Sequence, residues 1–255
     1  PEIVERARRA GLDALVYAPH FTQLPEIERR AASYSRPDCL VVPGRELFTG
    51  SWRERKHVLA LGLEEPIPDF ISLAAAMDAL DEQDATVIAP HPEFLTVSLT
   101  EADLREYRDV IDAVEVYNPK YRSHHSRRAR ELARELDLPA IGSSYAHLPM
   151  TIGDVWTAFD RVLTTETGLR DAIETPGAGD RCVCRRSGAG PWLRSTAEFC
   201  HLGWENSWTK FDRVVRSDRE PTHPADPLYE GRFDDSVVYA DQETVPVPAL
   251  NALSR

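Results

Sequence analysis

The stretch TVIAPH, residues 86–91, sets a short β-branched run against a proline and then a histidine. Such a run, bounded by turn chemistry, reads as a buried strand, and the histidine falls just past its end. Upstream, Phe70, Leu73, Met77 and Leu80 share one helical face over 70–80. Downstream, Thr100 and Asp103 have the form of a capping box that opens a helix, and the strand-like run Ala113–Tyr117 follows. TVIAPH is therefore one strand in an alternation of strands and helices.

The alternation extends both ways. Ile3, Val4, Ala7, Ala10 and Leu12 follow helical spacing, and Gly11 stops that helix before the apolar run Ala14–Tyr17. A helix from Pro25 to about Tyr34 leads into Cys39–Val42, and His57–Leu63 is another strand-like run. Ser123 can cap a helix whose Ala129, Leu132, Ala133 and Leu136 face inward, ahead of residues 139–142; Val155–Phe159 reads as a last strand and Gly168–Ile173 as a last helix. Short strands alternating with helices predict a mostly parallel α/β sheet, either closed as a barrel or open and doubly wound. No glycine-rich phosphate loop follows the first strand, as a dinucleotide fold requires. His20, Glu46, His91 and His147 instead each lie just beyond a predicted strand. Polar side chains converging from several strand ends describe a barrel. His57 differs, because it begins its apolar run, and local pattern gives no account of how it points inward.

Forty-two acidic residues against 30 basic ones give a formal charge of -12. That charge repels polyanions at long range and argues against non-specific nucleic-acid binding, so an anionic substrate needs a locally positive pocket. Only Lys56, Lys120 and Lys210 are lysines; an acidic, Lys-poor balance resembles halophile-like proteins, and equally a GC-rich genome. No apolar run reaches the roughly 18 residues of a membrane-spanning helix, and no leader precedes the first helix, so the reading is a cytoplasmic protein without membrane contact. Cys39, Cys182, Cys184 and Cys200 are too few for a disulfide framework. The expected organisation is a barrel domain over 1–174, then a region over 175–255 made of a Gly- and Arg-rich linker, a helix and an extended arm packing on the barrel. The helix carries Leu193, Ala197, Cys200, Trp204, Trp208, Phe211 and Val215 at spacings of three and four. That stripe is expected to pack on the barrel, with homo-oligomer formation as the alternative. Five prolines beyond Ser217 predict the extended arm.

Six segments in order, PEIVERARRAGLDALVYAPHFT, VVPGRELFTG, KHVLALGL, VIAPHPEF, VEVYN and PAIGSSYAHLPMTIGDVWTAF, resemble successive motifs of the PHP (polymerase and histidinol phosphatase) family over residues 1–174. The resemblance implies a distorted seven-stranded (β/α) TIM-like barrel that holds one to three Zn, Mn or Fe ions and hydrolyses phosphate esters, with a PHP-associated C-terminal region. Carried over by position, Glu46 matches the bridging carboxylate, and His57 and His91 two further ligands of one metal. His20 and His147 match ligands of a second. Two positions depart from the family pattern. Pro19 precedes His20 where the family has Asp, and Ser144-Tyr145-Ala146-His147 stands for Ser-Asp-Ala-His. Neither proline nor neutral tyrosine replaces a carboxylate on a hard divalent ion. The family's His-x-His strand is expected upstream of Pro1.

Such a cluster suits phosphate esters, whose negative charge repels nucleophiles: metal ions neutralise the charge and activate water, so no side-chain nucleophile is required. The implied function is a metal-dependent phosphoesterase acting on a small phosphate ester or nucleotide. The alternative is a degenerate, non-catalytic PHP-like module for ligand binding or assembly. Arg53 and Arg55 are candidates to meet a substrate phosphate, against a reading as ordinary loop charges. Arg127, Arg128 and Arg130 read as solvated charges paired with Glu131 and Glu135. Cys182-x-Cys184 with Cys200-His201 offers four zinc-type ligands at an unusual spacing, against a reading as unligated thiols.

Overall fold

The computed structural model describes residues 2–51, 55–94, 97–175, 181–216 and 221–238, with side chains beyond Gly203 in the long C-terminal helix left aside. Its helices are α1 (Glu2–Ala10), α2 (Leu24–Tyr34), α3 (Leu73–Asp81), α4 (Glu101–Glu106), α5 (Ser123–Glu135), α6 (Glu166–Glu174) and α7 (Ala189–Arg216). The strands are β1 (Ala14–Tyr17), β2 (Leu40–Thr49), β3 (Lys56–Leu61), β4 (Thr86–Ala89), β5 (Ala113–Tyr117), β6 (Ala140–Gly142), β7 (Val155–Phe159) and β8 (Arg181–Arg185). No described helix is long and apolar enough to cross a membrane.

Local chemistry sets several boundaries. The Ser72 side chain accepts from Ala75 N, so α3 begins at Leu73 and excludes Phe70, whose φ of 64° is left-handed. Thr100 and Asp103 make the capping box of α4, Asp103 N donating to Thr100 Oγ1 and Thr100 N to Asp103 Oδ2. Ser123 does not cap α5; it is the first helical residue, and Arg122 precedes it without a side-chain cap.

β1 to β6 form one sheet in sequence order, and the expectation of a mostly parallel sheet needs correcting. β1–β2, β4–β5 and β5–β6 are parallel, whereas β3 pairs antiparallel with both β2 and β4. β2 is also longer than the Cys39–Val42 run suggested, so Glu46 lies inside the strand and not beyond it. The sheet is curled. β1 and β6 are its two edges, yet the rings of His20 and His147, which follow them, are 5.1 Å apart. β7 and β8 form a separate antiparallel pair against β6; a Cβ on Gly142 would stand 2.4 Å from Val183 Cγ1, which is why glycine sits there. The described strands do not themselves close a seven-stranded ring. The core under α3 to α5 is built from Leu47, Val58, Met77, Leu80, Val87, Leu104, Val114, Leu132 and their neighbours.

The region after residue 174 differs from its expected form in two places. Residues 181–185, placed in the linker, are strand β8, because Cys182-Val183-Cys184 alternates against Trp156-Thr157-Ala158. In α7 the described part of the apolar stripe faces outward: Leu193 is 59 % exposed, and Ala197 and Cys200 are exposed too. The helix docks through polar groups. Arg194 Nη2 meets Asp154 Oδ1 at 2.6 Å, Ser195 Oγ donates to Pro119 O at 3.1 Å, and Glu198 is buried. Trp204, Trp208, Phe211 and Val215 lie outside the described side chains. Residues 221–238 lie on the sheet domain. Thr222 Oγ1 donates to Asp69 Oδ2 at 2.6 Å, and Asp69 pairs with Arg45 at 2.7 Å in full burial. Tyr229 is also buried, and Val237 bridges to Ile71.

Candidate metal centre

β2 and β3 build the centre by register. Phe48 stands opposite His57 and Glu46 opposite Leu59, and alternation along each strand puts Glu46, Phe48 and His57 on one face. Because β3 runs against β2, its first residues lie at the rim where the parallel strands end, which answers the orientation of His57. His91 enters that rim two residues past β4, with φ 33°. The left-handed region costs a non-glycine residue of order 1–3 kcal/mol and persists only where neighbours over-determine it. Here the buried Glu115 carboxylate of β5 accepts from His91 N at 3.0 Å, and it also accepts from Asn118 Nδ2 and Ser143 Oγ. Sequence reasoning gave Glu115 no role, although a lone carboxylate within the apolar run 113–117 was a signal that could have found it.

Three of the four predicted histidine ligands meet Glu46 directly. Its Oε2 lies 2.8 Å from His20 Nε2, and its Oε1 lies 3.1 Å from His57 Nδ1 and 3.4 Å from His91 Nε2. His147 reaches the group through His20. Around the carboxylate the rings of Phe48, His57, His91, Tyr145, His147 and His20 form a closed circuit, each 4.0–5.3 Å from the next. Tyr145 occupies the place between His91 and His147, with φ 46°. Arg55 lies near enough for its positive charge to act on the Tyr145 hydroxyl. Arg53 lies outside the described residues.

The electrostatics follow from burial. Desolvation pushes the His57 imidazole down to about 4, against the partial opposition of Glu46, and pushes His147 down as well. Both are thereby held neutral, the form that ligates metals. Glu46 is also shifted down, though against its burial: desolvation would raise its carboxyl, but His20 and His57 outweigh that and hold it well below the usual range. Ring nitrogens tell the rest. Nε2 of His57 and Nε2 of His91 are buried without a hydrogen-bond partner. Buried polar atoms are nearly always satisfied, so two orphaned imidazole nitrogens beside one carboxylate fit a cation. Glu46, His57 and His91 each offer one ligand atom, all within 4.8 Å of one another, and this is the only group of three or more such residues among those described. Cys182, Cys184, Cys200 and His201 form no such group, and the cysteines are free thiols.

Residues 123–175 match the family model described as PHP-associated. That segment contains α5, β6, the His147 loop and α6, so it lies earlier than the C-terminal region where the sequence placed it. An uncharacterized protein of Methanocaldococcus jannaschii is 29% identical over 127 residues, 48% of this chain and 52% of its own length. The chain thus spans about half the length of the curated relative it matches. Among solved structures, PsfC from Pseudomonas syringae aligns over 80% of this chain and 88% of its own with 19% identity and a TM-score of 0.55, a likeness of fold. Endonuclease Q bound to a duplex with an abasic lesion aligns over 71% of this chain and 52% of its own, with 16% identity and a TM-score of 0.48.

Other predicted features fall away from the centre. Arg128 pairs with Glu93 at 3.2 Å, with Glu101, and at the limit of reach with Glu131 and Glu135. A groove of about 970 Å³ opens between α5 and β8, lined by Tyr117, Tyr121, Arg130 and Arg185 and by none of the five histidine and glutamate residues.

Proposed function

We propose that the chain is a metal-dependent phosphoesterase that hydrolyses a small phosphate ester or nucleotide. Glu46, His57 and His91 hold one divalent ion, and Glu46, His20 and His147 a second. The observation that carries this reading is that Glu46, His57 and His91 each bring one ligand atom within 4.8 Å of the others, while Nε2 of both imidazoles is buried and unpartnered. Divalent ions bound there supply Lewis-acid charge neutralisation and make water acidic enough to attack at neutral pH. The chain's own residues do the rest. Glu46 provides the negative charge that draws cations, burial keeps His57 and His147 unprotonated, and Arg55 brings a positive group to the rim for a phosphate oxygen. Within the circuit of rings the Glu46 side chain is only 10 % exposed.

Metal content of the purified full chain, together with hydrolysis of a generic phosphomonoester in added Mn, tests this. Bound metal with turnover that Glu46→Gln abolishes is the expected result. A full chain that takes up no metal and hydrolyses nothing overturns the reading. One observation favours the alternative, a binding or assembly module: Tyr145 fills the space between His91 and His147 where a carboxylate would assist a further ion. Tight metal binding without turnover on phosphomonoesters, phosphodiesters or nucleotides selects that alternative.

A further inference from the structure

The loop that carries His147 is locked by a second buried carboxylate, and that carboxylate comes from α7. The Glu198 side chain has 0 % exposure. Its Oε1 accepts from His147 N at 2.6 Å, Leu148 N at 2.7 Å and Thr151 Oγ1 at 2.6 Å, and its Oε2 meets Lys120 Nζ. The Lys120 side chain is equally buried and spends its remaining donors on Ser144 O at 3.2 Å and Tyr145 O at 2.6 Å. Nearly every contact of the pair therefore falls on residues 144–151. Buried ion pairs contribute little net stability, but they tolerate only one arrangement of the groups around them.

The arrangement they select matters for His147. Tyr145 O, fixed by the Lys120 ammonium, faces His147 Nδ1 at 3.1 Å. A carbonyl can only accept, so Nδ1 carries the proton and donates it, and Nε2 keeps the lone pair that a metal needs. The left-handed φ of 46° at Tyr145 turns its carbonyl into that position, and the pull of Lys120 helps hold a conformation that tyrosine otherwise avoids.

We propose that Lys120 and Glu198 are positioning residues that set the tautomer and orientation of His147, making α7 a working part of the second metal subsite. The inference rests on the reading of His147 as a metal ligand. Its first test is independent of metal: nitrogen chemical shifts of the His147 ring in the metal-free full chain. The Nδ1–H tautomer is expected in the wild type and a mixture of tautomers in Glu198→Gln; an Nε2–H tautomer in the wild type overturns the proposal.

The second test titrates the full chain with Co2+ and resolves the two ions. In Glu198→Gln the ion at Glu46, His57 and His91 is expected to bind as in the wild type, while the second binds about 10- to 100-fold more weakly, the usual effect of losing an outer-shell partner. A general loss of structure would weaken both. Unchanged affinity for both ions, or equal weakening of both in a folded variant, overturns the proposal. If Glu198→Gln does not fold, the double variant Lys120→Met with Glu198→Gln removes the uncompensated charge, and the same selective loss is expected of it. A wild-type chain that binds no ion at all sinks the metal reading, and the tautomer measurement still decides the positioning role.

Discussion

Two buried glutamates organise the two sides of this rim, and they are finished differently. Glu198 has its cation built into the chain: Lys120 lies against one oxygen, and three donors from the His147 loop saturate the other. Among the described residues the Glu46 carboxylate meets imidazoles, and two of their buried nitrogens have no partner. Of these two neighbouring buried carboxylates, the first is fully satisfied by described residues, and the second is ringed by imidazoles that keep open nitrogens. Burial alone does not distinguish the two. The difference lies in where the compensating positive charge comes from, and that difference can be tested.

The largest effect is expected from removing the built-in cation. Lys120→Met leaves Glu198 buried and unpaired, and urea unfolding of the chelator-treated full chain should show a loss of about 3–5 kcal/mol. Glu46→Gln under the same conditions removes a carboxylate that no fixed cation among the described residues compensates, so its loss should be clearly smaller. Equal losses would erase the distinction between the two glutamates.

Proton linkage gives the next largest effect. His57 is pushed down to about 4 by burial, against Glu46, while the unfolded imidazole titrates at its ordinary value of 6.5. Between those values the unfolded chain holds the extra proton. Stability of the metal-free chain should therefore fall as pH drops from 6.5 toward 4, by on the order of 3 kcal/mol in all. Asp112 works in the opposite sense: burial, despite the Val87 N–H, pushes its carboxyl up to about 6, so its contribution is full at low pH and fades as pH rises through 6. Asp112→Asn removes that opposing slope. In that background, a pH profile that His57→Gln leaves unchanged would show that the His57 ring is not held neutral by the fold.

Adding a cation should then separate the two carboxylates from the other side. A divalent ion at about 100 times its dissociation constant stabilises the folded state by about 2.7 kcal/mol. Thermal unfolding should show that gain in the wild type and in Arg55→Gln, and none in Glu46→Gln, which removes the carboxylate that both ions share. A gain that survives loss of Glu46 would place the ion elsewhere.

Much of the rim was legible because ligand-type side chains set beside apolar runs stand out, and four histidines and a glutamate in that order are hard to read as core packing. Strand direction was not legible. Nothing in KHVLAL marks β3 as antiparallel, so His57 at the start of its run seemed to face the wrong end, when the reversed strand brings it to the same rim. The second hub was hidden by a rule that usually works. The spacing of Leu193, Ala197 and Cys200 names an apolar face, but α7 docks through Arg194, Ser195 and Glu198, because a buried carboxylate with four partners holds a helix more specifically than three small apolar contacts. Likewise β8 was concealed in a Gly- and Arg-rich stretch, where only the alternation of Cys182, Val183 and Cys184 betrayed it.

The smallest expected effect completes the comparison. Arg128 gathers Glu93, Glu101, Glu131 and Glu135 around it, more carboxylates than either buried hub has cations, yet its side chain is 35 % exposed. Water and salt screen such a network, and the entropy of holding long side chains offsets its attraction, so Arg128→Gln should reduce stability by less than about 1 kcal/mol. That loss should shrink further in high salt, where the Lys120→Met effect should persist because its charges lie out of reach of counterions. Urea unfolding at two ionic strengths measures both. If Arg128→Gln matched Lys120→Met and kept its full effect in salt, the number of ionic contacts would govern stability here, and burial would lose the role assigned to it at both glutamates.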